Sequence, residues 1–121
     1  MKTINRDRRL KRKLRVSANI FGTKDRPRIS VFRSNRYLYV QAIDDEQRHT
    51  LASSSSLVLR KNKKIDKKMA KSEEAKIVGL DLAKKLKQLK IEKAIFDRGW
   101  YHYHGRVAAL AEGLREGGIK I

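Results

Sequence analysis

Polar and apolar residues alternate from Arg28 onward. In ISVFRSNRYLYVQAID, two runs rich in β-branched and aromatic residues flank a polar break, Arg33 to Arg36, that contains the turn-prone pair Ser34 and Asn35. This is the signature of two antiparallel strands joined by a short loop. Side chains alternate across a sheet, so Leu38, Val40 and Ala42 should face a core. Tyr37, Tyr39 and Gln41 should then make an opposite face that is aromatic and polar, bordered by arginine. Asp44, Asp45 and Glu46 form a second turn, and His49 to Ser55 reads as a third strand completing a meander. The run Ser53 to Ser56 suits either a strand end of small residues or a surface approached closely by a backbone or an RNA.

The period then changes to helical. Ala75, Val78, Leu82, Leu86 and Leu89 recur at three- and four-residue steps, with Lys71, Lys84, Lys85 and Lys87 largely off that stripe, which predicts a helix from about Lys68 to Leu89. Gly79 lies within the stripe and is expected to let the helix sit close against the sheet. Lys93 to Asp97 holds the unbroken apolar set Ala94, Ile95 and Phe96, as in a strand covered on both faces and central in its sheet. Val107, Leu110, Ala111 and Leu114 mark a second amphipathic helix, stopped by Gly117 and Gly118. The element order is tail-β-β-β-α-β-α, an α/β single domain with a mixed sheet and two helices packed on it. A right-handed strand-helix-strand crossover places the fourth strand parallel to a meander strand. The turn Lys24 to Pro27 divides the chain into a basic tail, residues 1–24, and one α/β domain, residues 25–121. A chain of 121 residues is long enough for one real core.

Charge changes the picture. The net charge is +18, and residues 1 to 36 hold 13 Lys or Arg against 2 acidic residues. Between Met1 and Val16 the basic residues Lys2, Arg6, Arg8, Arg9, Lys11, Arg12, Lys13 and Arg15 face only Asp7, with apolar residues too sparse to bury much surface. Such a segment is expected to be mobile alone and to order on a polyanion. A second basic patch, RKNKKIDKK, spans Arg60 to Lys68 as a loop or helix entrance. Nucleic acid is the expected partner, ahead of an anionic membrane surface, since both helical stripes are consumed by the core. There is no cysteine, so disulfides, thiolate metal sites and a cysteine nucleophile are excluded. No apolar run approaches the roughly 20 residues that span a bilayer, and no secretory signal pattern is present, so the cytoplasm is the expected compartment.

The segment Phe96 to Arg106, FDRGWYHYHGR, concentrates rings, histidines and arginines. Trp100, Tyr101 and Tyr103 could stack on unpaired bases, and Arg98 and Arg106 could each hold a phosphate by two bonds. Gly99 and Gly105 permit a tight loop. His102 and His104 form an H-x-H pair, but His49 is the only other histidine, so no metal site is expected, and His104 reads as a loop hydrogen-bonder or phosphate contact. A metal-dependent nuclease of related topology is the alternative, drawing on Asp44, Asp45, Glu46 and Asp97. Three of these are consecutive in a turn where neighbours point apart, and Asp97 is expected to pair with Arg98 or Arg106. Neither a nucleophile elbow nor a phosphate-cradling glycine motif occurs, and no cofactor or small-molecule substrate is expected.

Three blocks resemble a known family: RPRISVFRSNRYLYVQAIDD at Arg26 to Asp45, TLASSSS at Thr50 to Ser56, and FDRGWYHYHGRVAALAEGLREGG at Phe96 to Gly118. Together they are similar to bacterial large-subunit ribosomal protein eighteen, over nearly the whole chain. The resemblance implies a ribonuclease-H-like topology without catalysis. It implies a structural role in the cytoplasm, within the ribosome, binding 5S rRNA and helping attach it to 23S rRNA in the central protuberance, beside neighbouring 5S-binding ribosomal proteins. It makes Arg6, Arg8, Arg9, Arg12, Arg15, Arg33, Ser34, Asn35, Arg36, Arg98, Tyr103, His104 and Arg106 the expected RNA contacts. Lys11, Lys13, Arg28, Tyr37, Tyr39, Trp100 and Tyr101 complete the candidate set. Trp100, where such proteins usually carry glycine, and Ile121, in place of a terminal aromatic, depart from the pattern.

Overall fold

The alternating runs fold into the expected meander. In the computed structural model, which describes residues 20–34, 36–65, 69–97 and 105–121, strands β1 (Arg28–Arg33), β2 (Leu38–Asp44) and β3 (His49–Ser55) are followed by helices α1 (Ser56–Lys61) and α2 (Lys71–Gln88), strand β4 (Ile95–Asp97) and helix α3 (Arg106–Glu116). The sheet order is β3-β2-β1-β4. β1 and β3 both pair antiparallel with β2, and β4 runs parallel to β1 with Ser30 opposite Asp97. The parallel pairing is the one the crossover rule requires, and the arrangement is a single α/β domain with a mixed sheet.

Strand parity decides the two faces. Ile29, Val31, Leu38, Val40 and Ala42 are buried on one side, where they meet Val78, Leu82 and Leu86 of α2 and Leu110 and Leu114 of α3 in one core. Full burial of each such large side chain contributes roughly 1.5–3 kcal/mol. Tyr39 and Gln41 emerge on the other side, as the alternation predicts. Gly22, before the expected tail boundary, is buried: its amide donates to Asp45 Oδ2 at 2.7 Å and its carbonyl accepts from the Asp45 amide at 2.9 Å.

Four expectations are corrected. β4 is an edge strand and not central, because β1 already gives its other edge to β2. Its apolar residues gain cover from the chain end, where the Ala94 amide donates to the Lys120 carbonyl at 2.9 Å and the Lys120 amide to the Glu92 carbonyl at 2.9 Å. Gly79 faces α3 and not the sheet; a Cβ there would collide with the Leu110 carbonyl, and Gly113 lies opposite. The two glycines let the helix backbones touch. Leu89 falls beyond the end of α2 and is half-exposed. Finally, α1 is an additional short helix between the expected third strand and the basic patch from Arg60, which was expected as a loop or helix entrance. Ser55 caps it by accepting from the Val58 amide at 3.2 Å.

Candidate nucleic-acid interface

The base of the candidate surface is tied down by Arg28. Its Nε and Nη2 donate to the two Asp45 carboxylate oxygens at 3.0 and 3.1 Å, and its Nη1 donates to Asp97 Oδ2 at 3.0 Å. One guanidinium thus joins β1, the β2–β3 turn and the end of β4. Arg28 hydrogen bonding, with help from the Gly22 amide, holds the Asp45 carboxyl below its ordinary range, and Asp45 correspondingly raises Arg28. Arg28, one of the expected RNA contacts, turns three of its donors to these carboxylates and so also ties the scaffold together. Asp97 pairs with Arg28, while Arg98, one of its two expected partners, lies outside the described residues. Asp44 accepts from the Glu46 and Gln47 amides at 3.0 and 3.3 Å, which is turn construction. The serine run serves packing in the same way: Ser54 Oγ donates to Asp81 at 2.7 Å, and Ser56 Oγ accepts from the Leu38 amide at 2.9 Å.

At the far end of β1 three arginines gather. The β1–β2 turn closes with the Ser34 amide donating to the Tyr37 carbonyl at 2.9 Å and the Tyr37 amide donating to Ser34 Oγ at 3.1 Å. Arg106, at the start of α3 and 72 residues away in sequence, donates from Nη1 to the Ser34 carbonyl at 3.3 Å. Its Nε and Nη2 are buried without an acceptor among the described residues. Burial, then the positive charge of Arg33 and, more weakly, of Arg60, lowers the basicity of its guanidinium, with Glu74 opposing. An arginine still keeps its proton there. Arg60 reaches in from α1, donating from Nε to buried Glu74 at 3.0 Å and lying 5.7 Å above the Tyr37 ring. The arrangement can hold an anion, since buried charge-bearing donors that lack acceptors favour a multivalent oxyanion.

Beside this cluster the sheet carries a row of rings. Phe32 and Tyr39 face each other across β1 and β2, centroids 5.9 Å apart, and Tyr37 meets Tyr39 edge-on at 6.5 Å. Arg36 is exposed at the turn beside them. The structure therefore brings together Arg33, Ser34, Arg36, Tyr37, Tyr39 and Arg106 of the expected set. Arg6, Arg8, Arg9, Lys11, Arg12, Lys13, Arg15, Asn35, Arg98, Trp100, Tyr101, Tyr103 and His104 lie outside the described residues. Sequence reasoning missed Arg60 as part of this group, although the basic patch that it opens was the available signal. It also missed Phe32, whose strand parity with Ser30 would have placed it outward.

A small α/β domain that gathers arginines at one end of its sheet beside a row of rings, with Asp45 and Asp97 both engaged by Arg28, has the surface of a nucleic-acid-binding scaffold. The comparisons narrow this class. The chain belongs to the family described as "Ribosomal L18 of archaea, bacteria, mitoch. and chloroplast", whose model matches residues 3–121. It is 47% identical over 120 residues to the large ribosomal subunit protein uL18 of Thermotoga petrophila, covering 99% of this chain and 98% of that one. It is 53% identical to the uL18 of Nitratiruptor sp. over 93% of this chain and 90% of the relative, and 51% identical to that of Campylobacter jejuni over the same shares. The protein is thus a non-enzymatic structural component of the large ribosomal subunit, associated with ribosomal RNA and residing in the cytoplasm within the ribosome.

Proposed function

We propose that this chain binds 5S rRNA and helps attach it to 23S rRNA in the central protuberance, beside neighbouring 5S-binding ribosomal proteins. Family membership supports the ribosomal role, and the likeness of the long motif blocks supports the choice of 5S rRNA. The observation that carries RNA contact at this surface is Arg106, whose buried Nε and Nη2 have no acceptor among the described residues while the charges of Arg33 and Arg60 act on it. An RNA phosphate supplies the missing acceptors and offsets the crowded positive charge. In this reading Arg33, Ser34, Asn35, Arg36, Arg98, Tyr103, His104 and Arg106 form the docking face. The tail, residues 1–24, orders along RNA through Arg6, Arg8, Arg9, Lys11, Arg12, Lys13 and Arg15.

The test is binding of the full chain to 5S rRNA and to transfer RNA across a salt series. Affinity should fall steeply with salt, and 5S rRNA should be retained selectively at moderate salt. Each tail arginine changed to alanine should flatten the salt slope by about one unit for both RNAs. Equal affinity for any RNA would sink the specific role.

A further inference from the structure

The sheet face opposite the helices has a composition that neither core packing nor phosphate binding explains. Phe32 is 61% exposed, although it sits mid-sheet between Arg33 and Val31. Its ring and that of Tyr39 stand over a shallow groove of about 450 Å³ lined by Ser30, Phe32, Ser34, Tyr39 and Gln41. In register, Phe32 pairs with Tyr39, and Ser30 and Ser53 flank Gln41. Rings and side-chain amide or hydroxyl groups therefore alternate across the face. Among the described residues no carboxylate lines the groove, and Arg33, Arg36 and Arg60 lie around its turn end.

We propose that this face is a stacking platform for unpaired bases of the bound ribosomal RNA, with Phe32 and Tyr39 as the stacking rings and Gln41 reading a base edge. The inference rests on the proposed RNA-binding function and deepens it. Bases suit the face better than a protein does. A base offers a flat π surface to the rings and both donors and acceptors to the amide and hydroxyls, and its phosphates fall toward the arginine rim. A second copy of a chain with net charge +18 would bring like charge against that rim. The geometry also separates two tasks: Arg106 and its neighbours grip the backbone at the end of the sheet, and the open strands receive what projects from it.

The test uses the full chain and a 5S rRNA transcript at fixed moderate salt, with Phe32→Leu, Tyr39→Leu and Phe32→Trp variants. Leucine keeps the apolar character and removes the π face; circular dichroism confirms folding, which the exposure of Phe32 favours. Each leucine variant should bind 5S rRNA about five- to hundredfold more weakly with an unchanged salt slope, and Phe32→Trp should bind like the parent. Ultraviolet cross-linking should join bases to Phe32 or Tyr39 in the complex. Leucine variants that bind like the parent, or cross-links found only elsewhere, overturn the platform. So does self-association that Phe32→Leu abolishes while RNA affinity stays constant, since the face would then belong to a second copy. If the parent protein fails to distinguish 5S from transfer RNA, the proposed function itself fails. If it does distinguish them and the leucine variants are unaffected, only the platform fails.

Discussion

Arg106 should weaken the free protein that it equips for RNA, and Arg106→Met tests this. Methionine keeps an unbranched stem and helix propensity while removing the guanidinium. The substitution loses one long hydrogen bond, Nη1 to the Ser34 carbonyl at 3.3 Å, worth about 0.5–1.5 kcal/mol. It removes two buried donors, Nε and Nη2, that have no acceptor among the described residues; each costs about 1–3 kcal/mol, with the low end appropriate for a side chain that is only half-buried and partly screened. It also relieves repulsion from Arg33, while the smaller opposing effects of Glu74 and Arg60 are lost together, and it takes a positive charge from the first turn of α3, a further gain of about 0.3–1 kcal/mol. Glu74 keeps Arg60 as its partner. The balance is a free protein more stable by about 1–2 kcal/mol. Binding of 5S rRNA should nevertheless weaken by about ten- to a hundredfold, the equivalent of about 1.5–3 kcal/mol for charge-assisted bonds. Urea unfolding followed by circular dichroism gives the first quantity and a mobility-shift titration the second. A variant less stable than the parent, with unchanged RNA affinity, would show that the guanidinium serves the fold alone.

The helix crossing offers a second sign test. Gly79→Ala gains about 1 kcal/mol of helix propensity, but its Cβ would press on the Leu110 carbonyl and lie 3.0 Å from the Leu114 amide nitrogen, and overpacking against backbone costs about 1–3 kcal/mol. Net destabilisation should appear as a lower urea midpoint; a midpoint equal to or above the parent's would mean that the crossing is looser than described. Asp45 makes a pH prediction. Its folded pKa is depressed below the ordinary value of 3.8, first by Arg28 and then, after the opposing effect of burial, by the Gly22 amide. Its stabilising contribution is therefore complete above that value and is lost as pH falls through the folded value. Urea midpoints taken below about pH 4 should decline less steeply in Asp45→Asn than in the parent; parallel curves would remove the ion pair from the account of acid unfolding.

The parts of the fold that were legible in the chain are those where burial imposes a period. Leu38, Val40 and Ala42 had to share one face of a strand, and Val107, Leu110, Ala111 and Leu114 one face of a helix, because each element has water on its other side. Where the deciding neighbour is far away in sequence, local pattern is silent. The apolar run at β4 is equally compatible with a central strand and with an edge covered by the chain end, and nothing near Gly79 says whether sheet or helix approaches it. At six residues, α1 (Ser56–Lys61) is too short for a repeating stripe, although its serine cap and basic last turn were present as signals. For the site, the residue types were readable, but the unsatisfied state of Arg106 and the arrival of Arg60 were not, since both depend on packing.

Convergence of the site follows from one topological choice. β1 leads into the hairpin turn at Ser34, and β4 ends at Asp97, after which the chain re-enters at Gly105 to begin α3. Because β4 runs parallel to β1, both strands deliver their following segments to the same end of the sheet. Arg106 can therefore reach the Ser34 carbonyl across 72 residues of sequence. An antiparallel β4 would have sent the arginine of α3 to the opposite end, beside the Asp44–Glu46 turn, where carboxylates would neutralise it. The direction of β4 thus does more than order the sheet. It carries the start of α3 away from the acidic turn and sets Arg106 within the field of Arg33 and Arg60, a positive cluster that an RNA backbone can satisfy.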